Sequence, residues 1–298
     1  MPLRLFFSQM ALKLPTFTTP ASEELCKEIA RKSNGTIFLG FSRGKDSLCA
    51  WLQCKKYFHT IIPVHCASYP GLKHTEAALK YYEKAMTDDP IRKPVHILRM
   101  VGEELQMALR RGMYQTAEDL EEIEELDGED YSKLDVLEEL RYVFNLPRAW
   151  CAFGISMSDS IDRRIYIKKT GGKNEDHKSF YPCLDWPRAE ILRAVRESGV
   201  KLSGEYRWAS RTLGGVPSAT CNRIYKAHYP EDWERIQAMY PLCWAKTLRE
   251  KYLDLAFERR KAMGIVADDS DEDAEAEESA ADLMPEMGID GVRDGDEE

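Results

Sequence analysis

Short apolar runs alternate along the first hundred residues with stretches whose apolar positions recur every three or four residues. The runs are typical of buried strands and the stretches of amphipathic helices. Strands are predicted in NGTIFLGF, TIIPVHCAS and PVHILRM, and helices over 22–32, 46–57 and 76–86. Strands that alternate with helices predict an α/β fold, a doubly wound parallel sheet with helices on both faces.

The alternation stops between residues 102 and 146. Within this segment, 12 acidic residues and one lysine lie between Glu118 and Glu139. We interpret this run as two helices about a turn at Gly128, with a solvated acidic face. We therefore treat about 102–146 as a helical insertion, through which a protein partner could also bind.

Core structure is predicted to resume after the insertion. AWCAFGIS is predicted as a fourth strand, and the Gly-rich KKTGGKNEDHKS as a loop. A helix should start at Pro187 and stop at Gly199, because proline favours the first turn and glycine the end. Two further helices are predicted over 231–240 and 244–263, giving one domain over 21–263 with a helical C-terminal part.

Charge is spread unevenly along the chain. The formal net charge is −9, yet residues 268–298 contain 15 acidic residues and one basic residue, which leaves +5 for residues 1–267. This mildly basic body suits an anionic substrate. Residues 264–298 lack apolar periodicity and are predicted to be a disordered acidic tail, either solubilising or partner-binding. Residues 1–20 are interpreted as a lead-in segment.

Apolar runs and cysteines indicate the cellular setting. No stretch of about 18 apolar residues occurs, so no transmembrane helix and no membrane partner are expected. The eight cysteines are scattered without a CxxC pair, which favours reduced thiols in a cytoplasmic protein. Cys49, Cys66 and Cys151 lie on apolar faces of predicted elements and are interpreted as core residues.

The segment FSRGKDS, residues 41–47, joins a predicted buried strand to a predicted helix. Free backbone N–H groups and the helix dipole make such a helix start suited to phosphate. Gly44 would allow close backbone approach and unusual dihedral angles. Lys45 supplies positive charge, and the hydroxyls of Ser42 and Ser47 can donate hydrogen bonds.

This loop differs from two common nucleotide loops. Gly40 precedes Gly44 by four positions, whereas the GxxxxGK(S/T) pattern requires five, and the GxGxxG pattern is absent. Asp46 also replaces the Ser or Thr that would hold magnesium in the first pattern. A carboxylate beside phosphate is tolerated when it stabilises the helix start or holds a cation, so Asp46 is a candidate Mg²⁺ contact.

FSRGKDS resembles the SGGKDS-type pyrophosphate loop of the adenine nucleotide α-hydrolase superfamily, the PP-loop ATP pyrophosphatases. Arg43 stands where glycine is usual. GISMSDSIDRR, from Gly154, and YPCLDWPRAEILRAVRESGVKLSGEY resemble segments of the phosphoadenosine phosphosulfate reductase-like branch. RWASRTLGGVPSATC resembles an element of the sulfate adenylyltransferase small subunit. The resemblance covers roughly residues 20–245.

The resemblance implies a nucleotide site with ATP as ligand and Mg²⁺ as its metal. Lys45 and Asp46 are the catalytic candidates, Asp46 as the metal contact. The pyrophosphate would be bound by the loop residues Ser42, Arg43, Gly44, Lys45, Asp46 and Ser47. An anionic group of the substrate would be held by four residues of the later segments, Asp159, Ser160, Arg163 and Arg211.

Several departures from these families narrow the function. The last cysteine, Cys243, lies in PLCWAK, which does not resemble the nucleophilic cysteine motif of the reductases. Residues 215–218 are Gly-Val-Pro-Ser where adenylylsulfate reductases carry cluster cysteines, so no iron–sulfur cluster is expected. HCASYPGLKHTE lacks the acid usual after the second strand of adenylyltransferases, and its His65 and His74 are interpreted as structural.

We expect an ATP-pyrophosphatase-type enzyme that cleaves ATP between the α and β phosphates and adenylylates an anionic acceptor, sulfate-type or other. Two alternatives stay open: a sulfonucleotide reductase-like protein, and a non-catalytic nucleotide-binding subunit of a larger complex. The expected partner is an adenine nucleotide. The resemblance leaves a nucleic-acid acceptor open, but the sequence has no zinc finger and no basic stripe with interleaved aromatic residues.

Overall fold

The computed structural model describes residues 21–87, 95–102, 105, 108–109, 111–124, 133–209, 211–213 and 218–263. The expected lead-in, the turn at Gly128 and the acidic tail lie outside these ranges. The strands are β1 Thr36–Gly40, β2 Thr60–Ala67, β3 Leu98–Val101, β4 Trp150–Phe153, β5 Lys173–Asn174 and β6 Ser179–Phe180. The helices are α1 Ser22–Lys32, α2 Lys45–Cys54, α3 Lys73–Thr87, α4 Ala117–Glu124, α5 Lys133–Val143, α6 Ile161–Thr170, α7 Arg188–Ser198, α8 Tyr206–Ala209, α9 Ala219–His228, α10 Pro230–Met239 and α11 Trp244–Ala262.

The strands form one sheet in the order β3-β2-β1-β4-β6-β5. Neighbours are parallel except β5 and β6, which pair antiparallel. The predicted parallel α/β sheet is therefore confirmed. The prediction that KKTGGKNEDHKS is only a loop was wrong, because β5 and the start of β6 lie there. These two-residue strands have no periodicity of their own and are held by pairing, with Ser179 opposite Cys151.

The sheet has helices on both faces, as predicted. Ile37 and Leu39 of β1 belong to a buried cluster that also contains side chains of α1, α2, α3 and α7. Phe38, between them, belongs to a separate cluster with Leu137 and Leu140 of α5. This alternation follows from strand geometry, because successive side chains point to opposite faces.

The acidic run contributes a core helix. In α5, Val136, Leu137 and Leu140 are buried against the sheet, whereas Glu138 and Glu139 are exposed. The acidic residues thus occupy the solvated side of an amphipathic helix.

A second layer of helices covers the loops that follow β2 and β3. Side chains of α9 and α10 form a buried cluster with Tyr69 and Leu72, which follow β2, and with Leu105 and Ala108, which follow β3. Across the described ranges, no helix is long and apolar enough to cross a membrane.

The chain order of the strands reverses between β1 and β4. The chain runs from β1 outward to β2 and β3 on one side, and then returns to β4 on the other side. Open α/β sheets bind their ligands in the crevice at such a reversal, here at the carboxyl ends of β1 and β4.

Candidate functional site

A cavity of about 750 Å³ occupies this crevice. Its walls come from the carboxyl ends of β1, β2 and β4, from α5, and from residues 211–213 with Tyr225 of α9. The site residues predicted from the sequence that line it are Ser42, Arg43, Ser47, Arg163 and Arg211. Those predicted residues that lie outside its lining are Gly44, Lys45, Asp46, Asp159 and Ser160.

The unusual backbone conformation of the β1–α2 loop belongs to Arg43 and not to Gly44. Arg43 has φ +68°, whereas Gly44 has φ −82° and ψ 163° and forms the N-cap of α2. The sequence-based expectation for Gly44 was wrong in this respect. Close approach does favour the glycine, because a Cβ there would lie 3.2 Å from the Tyr206 hydroxyl and 3.3 Å from Ser42 Oγ, so these side chains would have to shift slightly.

The start of α2 contains several hydrogen-bond donors. Ser42 Oγ donates to Ser47 Oγ at 3.2 Å, and Ser47 Oγ donates to the Gly44 carbonyl at 2.9 Å. The Lys45 N–H donates to the Tyr206 hydroxyl at 2.9 Å. Within the described residues no acceptor is found for the N–H groups of Asp46 and Ser47. An anion at this helix start would satisfy them.

Lys45 and Asp46 form an ion pair. Lys45 Nζ donates to the two carboxylate oxygens of Asp46 at 2.9 and 2.7 Å. Both side chains are partly exposed, so the pair is weak and can rearrange. The ammonium group is thus held beside the loop on a neighbouring carboxylate.

Arg43 is deeply buried and paired. Its side chain is 4% exposed, and one terminal nitrogen donates to Glu205 Oε1 at 2.6 Å. The other donates to the Leu213 carbonyl at 3.3 Å, and the Tyr82 hydroxyl donates to the Arg43 carbonyl at 3.2 Å. The guanidinium that the sequence assigned to pyrophosphate is therefore held by Glu205.

Glu205 and His74 extend this pair into a buried charge network. His74 Nε2 lies 2.8 Å from Glu205 Oε1, and Nδ1 lies 2.7 Å from Asp232 Oδ2. Burial lowers the pKa of His74, but the hydrogen bonds to Asp232 and Glu205 raise it above its usual value overall. Burial raises the pKa of Glu205, but Arg43 and His74 lower it to about 2. The network therefore joins Arg43 and His74 to the two carboxylates of Glu205 and Asp232.

The pKa of His65 is shifted in the opposite direction to that of His74. Its Nδ1 lies 2.8 Å from the Phe41 carbonyl, so this nitrogen carries the proton and donates. Burial and the nearby Arg43 lower the pKa of His65 to about 4, which makes the ring neutral near pH 7. His65 lines the cavity and presents a neutral ring to it.

The loop after β4 is tightly ordered at the crevice. Ser160 is the N-cap of α6 and accepts a hydrogen bond from the Arg163 N–H at 3.2 Å. Asp159 accepts from the Ser156 N–H at 2.9 Å and from the Arg163 guanidinium at 2.7 Å. Asp159 and Ser160 thus shape this loop, and Arg163 reaches the cavity wall beside it, with exposed Arg211 also on the wall.

The two crevice loops touch through Gly154. A Cβ there would lie 2.4 Å from the carbonyl carbon and oxygen of Asp46 and 2.6 Å from the Ser47 nitrogen. Only glycine allows the β4 loop to approach the start of α2 this closely.

The sequence analysis missed Glu205, Asp232 and the two cavity tyrosines, Tyr69 and Tyr225. Glu205 lies 162 positions from Arg43, and Asp232 lies 158 positions from His74. The one usable signal was Arg43 itself, because an arginine inside a buried loop requires a carboxylate partner.

Asp46 and two buried cysteines bear on the metal and thiol chemistry of the site. Within the described residues no group of three or more His, Cys, Asp or Glu side chains could hold a metal ion. The partly exposed Asp46 carboxylate fits a magnesium ion that takes its other oxygens from phosphates and water. Burial raises the pKa of the Cys49 and Cys151 thiols to about 12, so they are not thiolates near pH 7.

Comparison with known proteins gives distant likenesses only. No protein-family model and no curated protein sequence matches the chain. One similar solved structure is the NH3-dependent NAD synthetase from Campylobacter jejuni in complex with nitrate, at 13% identity and TM-score 0.37, covering 74% of this chain and 91% of that one. Another is the U34-tRNA thiolase from Methanococcus maripaludis with its 4Fe–4S cluster, at 14% identity and TM-score 0.35, covering 74% and 80%. These TM-scores are too low to support a family or an activity.

Proposed function

We propose that this chain is an ATP-pyrophosphatase-type enzyme of the PP-loop kind, resembling the phosphoadenosine phosphosulfate reductase-like branch. It cleaves ATP between the α and β phosphates and transfers the adenylyl group to an anionic acceptor. The observation that carries the proposal is the placement of FSRGKDS, at the carboxyl end of β1, at the strand-order reversal and beside a cavity of about 750 Å³.

Pyrophosphate binding is assigned to the start of α2. The N–H groups of Asp46 and Ser47 lack acceptors among the described residues, and the hydroxyls of Ser42 and Ser47 lie beside them. In the proposed complex Lys45 leaves Asp46 and pairs with the phosphates. Positioning and charge stabilisation then supply most of the catalysis, as is general for transfer from ATP.

Magnesium is assigned to Asp46 and the phosphates. Mg²⁺ is commonly held by one or two carboxylates together with substrate phosphates, and its charge would offset that developing on the leaving pyrophosphate. The movement of Lys45 from Asp46 to the phosphates would free the carboxylate for this role.

The transfer step joins the acceptor to the α-phosphorus. An acceptor oxygen attacks this phosphorus and forms a new P–O bond, while the bond from phosphorus to the α,β-bridging oxygen breaks. Pyrophosphate leaves with that electron pair. Arg163 and Arg211, on the cavity wall, are assigned to the anionic acceptor, and Asp159 and Ser160 to the loop that positions Arg163.

A second candidate is a nucleotide-binding subunit without turnover. One observation favours it: Lys45 is paired with Asp46, so in this structure its charge is not free for phosphate. If Lys45 does not leave its partner, the loop binds nucleotide without cutting it.

One experiment separates the two candidates. The full chain is incubated with Mg²⁺ and ATP labelled at the α-phosphate, with sulfate or without an acceptor, and products are separated by chromatography. Labelled AMP or an AMP adduct, formed with pyrophosphate, supports the enzyme. Lys45→Ala and Asp46→Ala should each abolish product, while the exposed-site control Lys27→Ala should retain it.

Tight ATP binding without any cleavage would support the nucleotide-binding subunit instead. Absence of ATP binding would overturn both candidates. Equilibrium dialysis of the same samples measures ATP binding. Binding is therefore known whether or not ATP is cleaved.

A further inference from the structure

Three residues that line the cavity each have a buried polar side-chain atom without a hydrogen-bond partner among the described residues. Buried polar atoms are nearly always hydrogen-bonded, so each exception requires an explanation such as an absent ligand. In the part of the chain that the structure describes, the unpartnered buried side-chain atoms are Arg43 Nε, the hydroxyls of Tyr69 and Tyr225, Ser33 Oγ and Asn222 Oδ1. The first three belong to residues that line the cavity, and the other two do not. Three of these five atoms therefore belong to residues of the cavity lining.

These donors belong to one wall. The Tyr69 and Tyr225 ring centroids are 6.0 Å apart, and the Tyr225 ring lies 5.2 Å from the His74 ring. His74 in turn contacts Glu205 at 2.8 Å, and Glu205 contacts Arg43 at 2.6 Å. A continuous series of contacts thus links the three unpartnered groups.

The chemistry of this wall selects an anion. The three residues are nine-tenths or more buried, with Arg43 and Tyr69 4% exposed and Tyr225 1% exposed. Burial raises the pKa of both tyrosines, so they keep their protons and can donate. An oxygen-rich group satisfies such donors, and positive Arg211 on the same cavity favours a negative group.

We propose that Arg43, Tyr69, Tyr225 and Arg211 form a subsite for the oxyanion group of the acceptor. The proposal rests on the proposed function, in which pyrophosphate occupies the adjoining start of α2. Carboxylate, sulfate and phosphate groups share the required chemistry, which is a compact set of negatively charged oxygens. The Arg43–Glu205 pair then orients Arg43 toward the acceptor and leaves pyrophosphate to the neighbouring residues.

Phenylalanine substitutions distinguish a ligand site from a structural role. Tyr69→Phe and Tyr225→Phe each remove one oxygen that has no hydrogen-bond partner among the described residues. Loss of an unsatisfied hydroxyl should leave the melting temperature unchanged or raise it. The same loss should weaken binding of the oxyanion by about tenfold or more, because a hydrogen bond to a charged group is removed.

The test is calorimetric titration of the full chain with sodium sulfate, sodium phosphate and sodium acetate in separate arms. Each arm is run alone and with the uncleavable α,β-methylene analogue of ATP, which would occupy the loop. We expect at least one probe to bind with the analogue present, and both variants to weaken that binding without loss of stability. Tyr240→Phe is the matched control, because Tyr240 is buried in the same cluster but lies outside the cavity lining.

Failure of the proposal has three forms. The subsite is overturned if none of the probes binds, if both variants bind as the wild type does, or if they lose binding only together with thermal stability. Oxyanion binding that depends on the two tyrosines, without any binding of the ATP analogue, would overturn the proposed function and retain the subsite. The two failures are therefore distinguishable.

Discussion

Arg43 combines two features that each cost free energy on their own. A left-handed backbone at a residue other than glycine costs about 1–2 kcal/mol, and a buried guanidinium requires a charged partner. Glu205 supplies that partner and is itself held by Ser203 and His74. The conformation of the β1–α2 loop therefore depends on a carboxylate far along the chain.

Removal of the Glu205 charge should destabilise the whole protein. Glu205→Gln leaves Arg43 and His74 buried beside a neutral amide, and breaking a buried pair in this way costs about 3–5 kcal/mol. Urea unfolding followed by tryptophan fluorescence measures the change. Glu23→Gln is the control, because its partner Lys27 is exposed and such pairs contribute about 0–1 kcal/mol. Equal stability of the two variants would contradict the prediction.

The pH dependence of stability follows from His74. Because its folded pKa is raised above 6.5, its contribution is complete below that value and is lost as the pH rises through the raised pKa. The groups that face the ring are Glu205, Asp232 and, more distantly, Arg43. We expect the free energy of unfolding to fall as the pH rises above about 6.5, and His74→Gln to flatten that decline. An unchanged slope in the variant would refute the assignment.

At acidic pH the change in the free energy of unfolding follows from Glu205. Its pKa is lowered from 4.5 to about 2, so its contribution is present above about 4.5 and is lost as the pH falls toward 2. In Glu205→Gln the loss of stability between these values should be smaller than in the wild type, as urea midpoints across that range would show.

At this scale the sequence predicted the loop better than the partners of its residues. FSRGKDS was predicted from local pattern, as a loop between a strand and a helix, whereas Ser160 and Arg163 were proposed from the family resemblance. The pairing of Arg43 with Glu205 could not be predicted from the sequence. Glu205, His74 and Asp232 are far apart along the chain and meet only in the folded protein.

At the scale of elements, the contact between the β4 loop and the start of α2 fixes how these two parts of the crevice are placed. Gly154→Ala would place a Cβ against the Asp46 backbone at 2.4 Å, and overpacking of this kind costs about 1–3 kcal/mol. The displaced helix start should also weaken ATP binding, measured by equilibrium dialysis.

Gly199→Ala provides the matched control for that substitution. Gly199 caps α7 with φ +70°, and nothing lies within 4 Å of its added Cβ. We expect a stability loss of about 1 kcal/mol from backbone strain alone, with ATP binding unchanged. If Gly154→Ala also bound ATP normally, the contact would not govern the nucleotide site.

Local pattern predicted the longer elements and missed the shorter ones. The first four strands and the helices α1, α2, α3 and α7 have clear periodicity or terminal glycine and proline signals. The two-residue strands β5 and β6 exist because β4 pairs with β6, which no local pattern encodes. The packing of α9 against Tyr69 and Leu72 is likewise long-range.

At the scale of the whole molecule, charge is divided between the described fold and the segment beyond it. Residues 268–298 bring the net charge from +5 to −9. A chain ending at residue 267 should therefore associate faster with an anionic fluorescent ATP analogue at low ionic strength, and the difference should vanish at high salt. Stopped-flow fluorescence measures both rates. A difference that persists in high salt would contradict an electrostatic origin.

Seven of the eight cysteines are buried, and the eighth, Cys66, is half-buried in the wall of the cavity. The reactivity of Cys66 should therefore report whether the cavity is occupied. Iodoacetamide should alkylate Cys66 before the other thiols, and a nucleotide in the cavity should slow that modification. Peptide mass spectrometry would measure the protection at one residue, without any dependence on turnover.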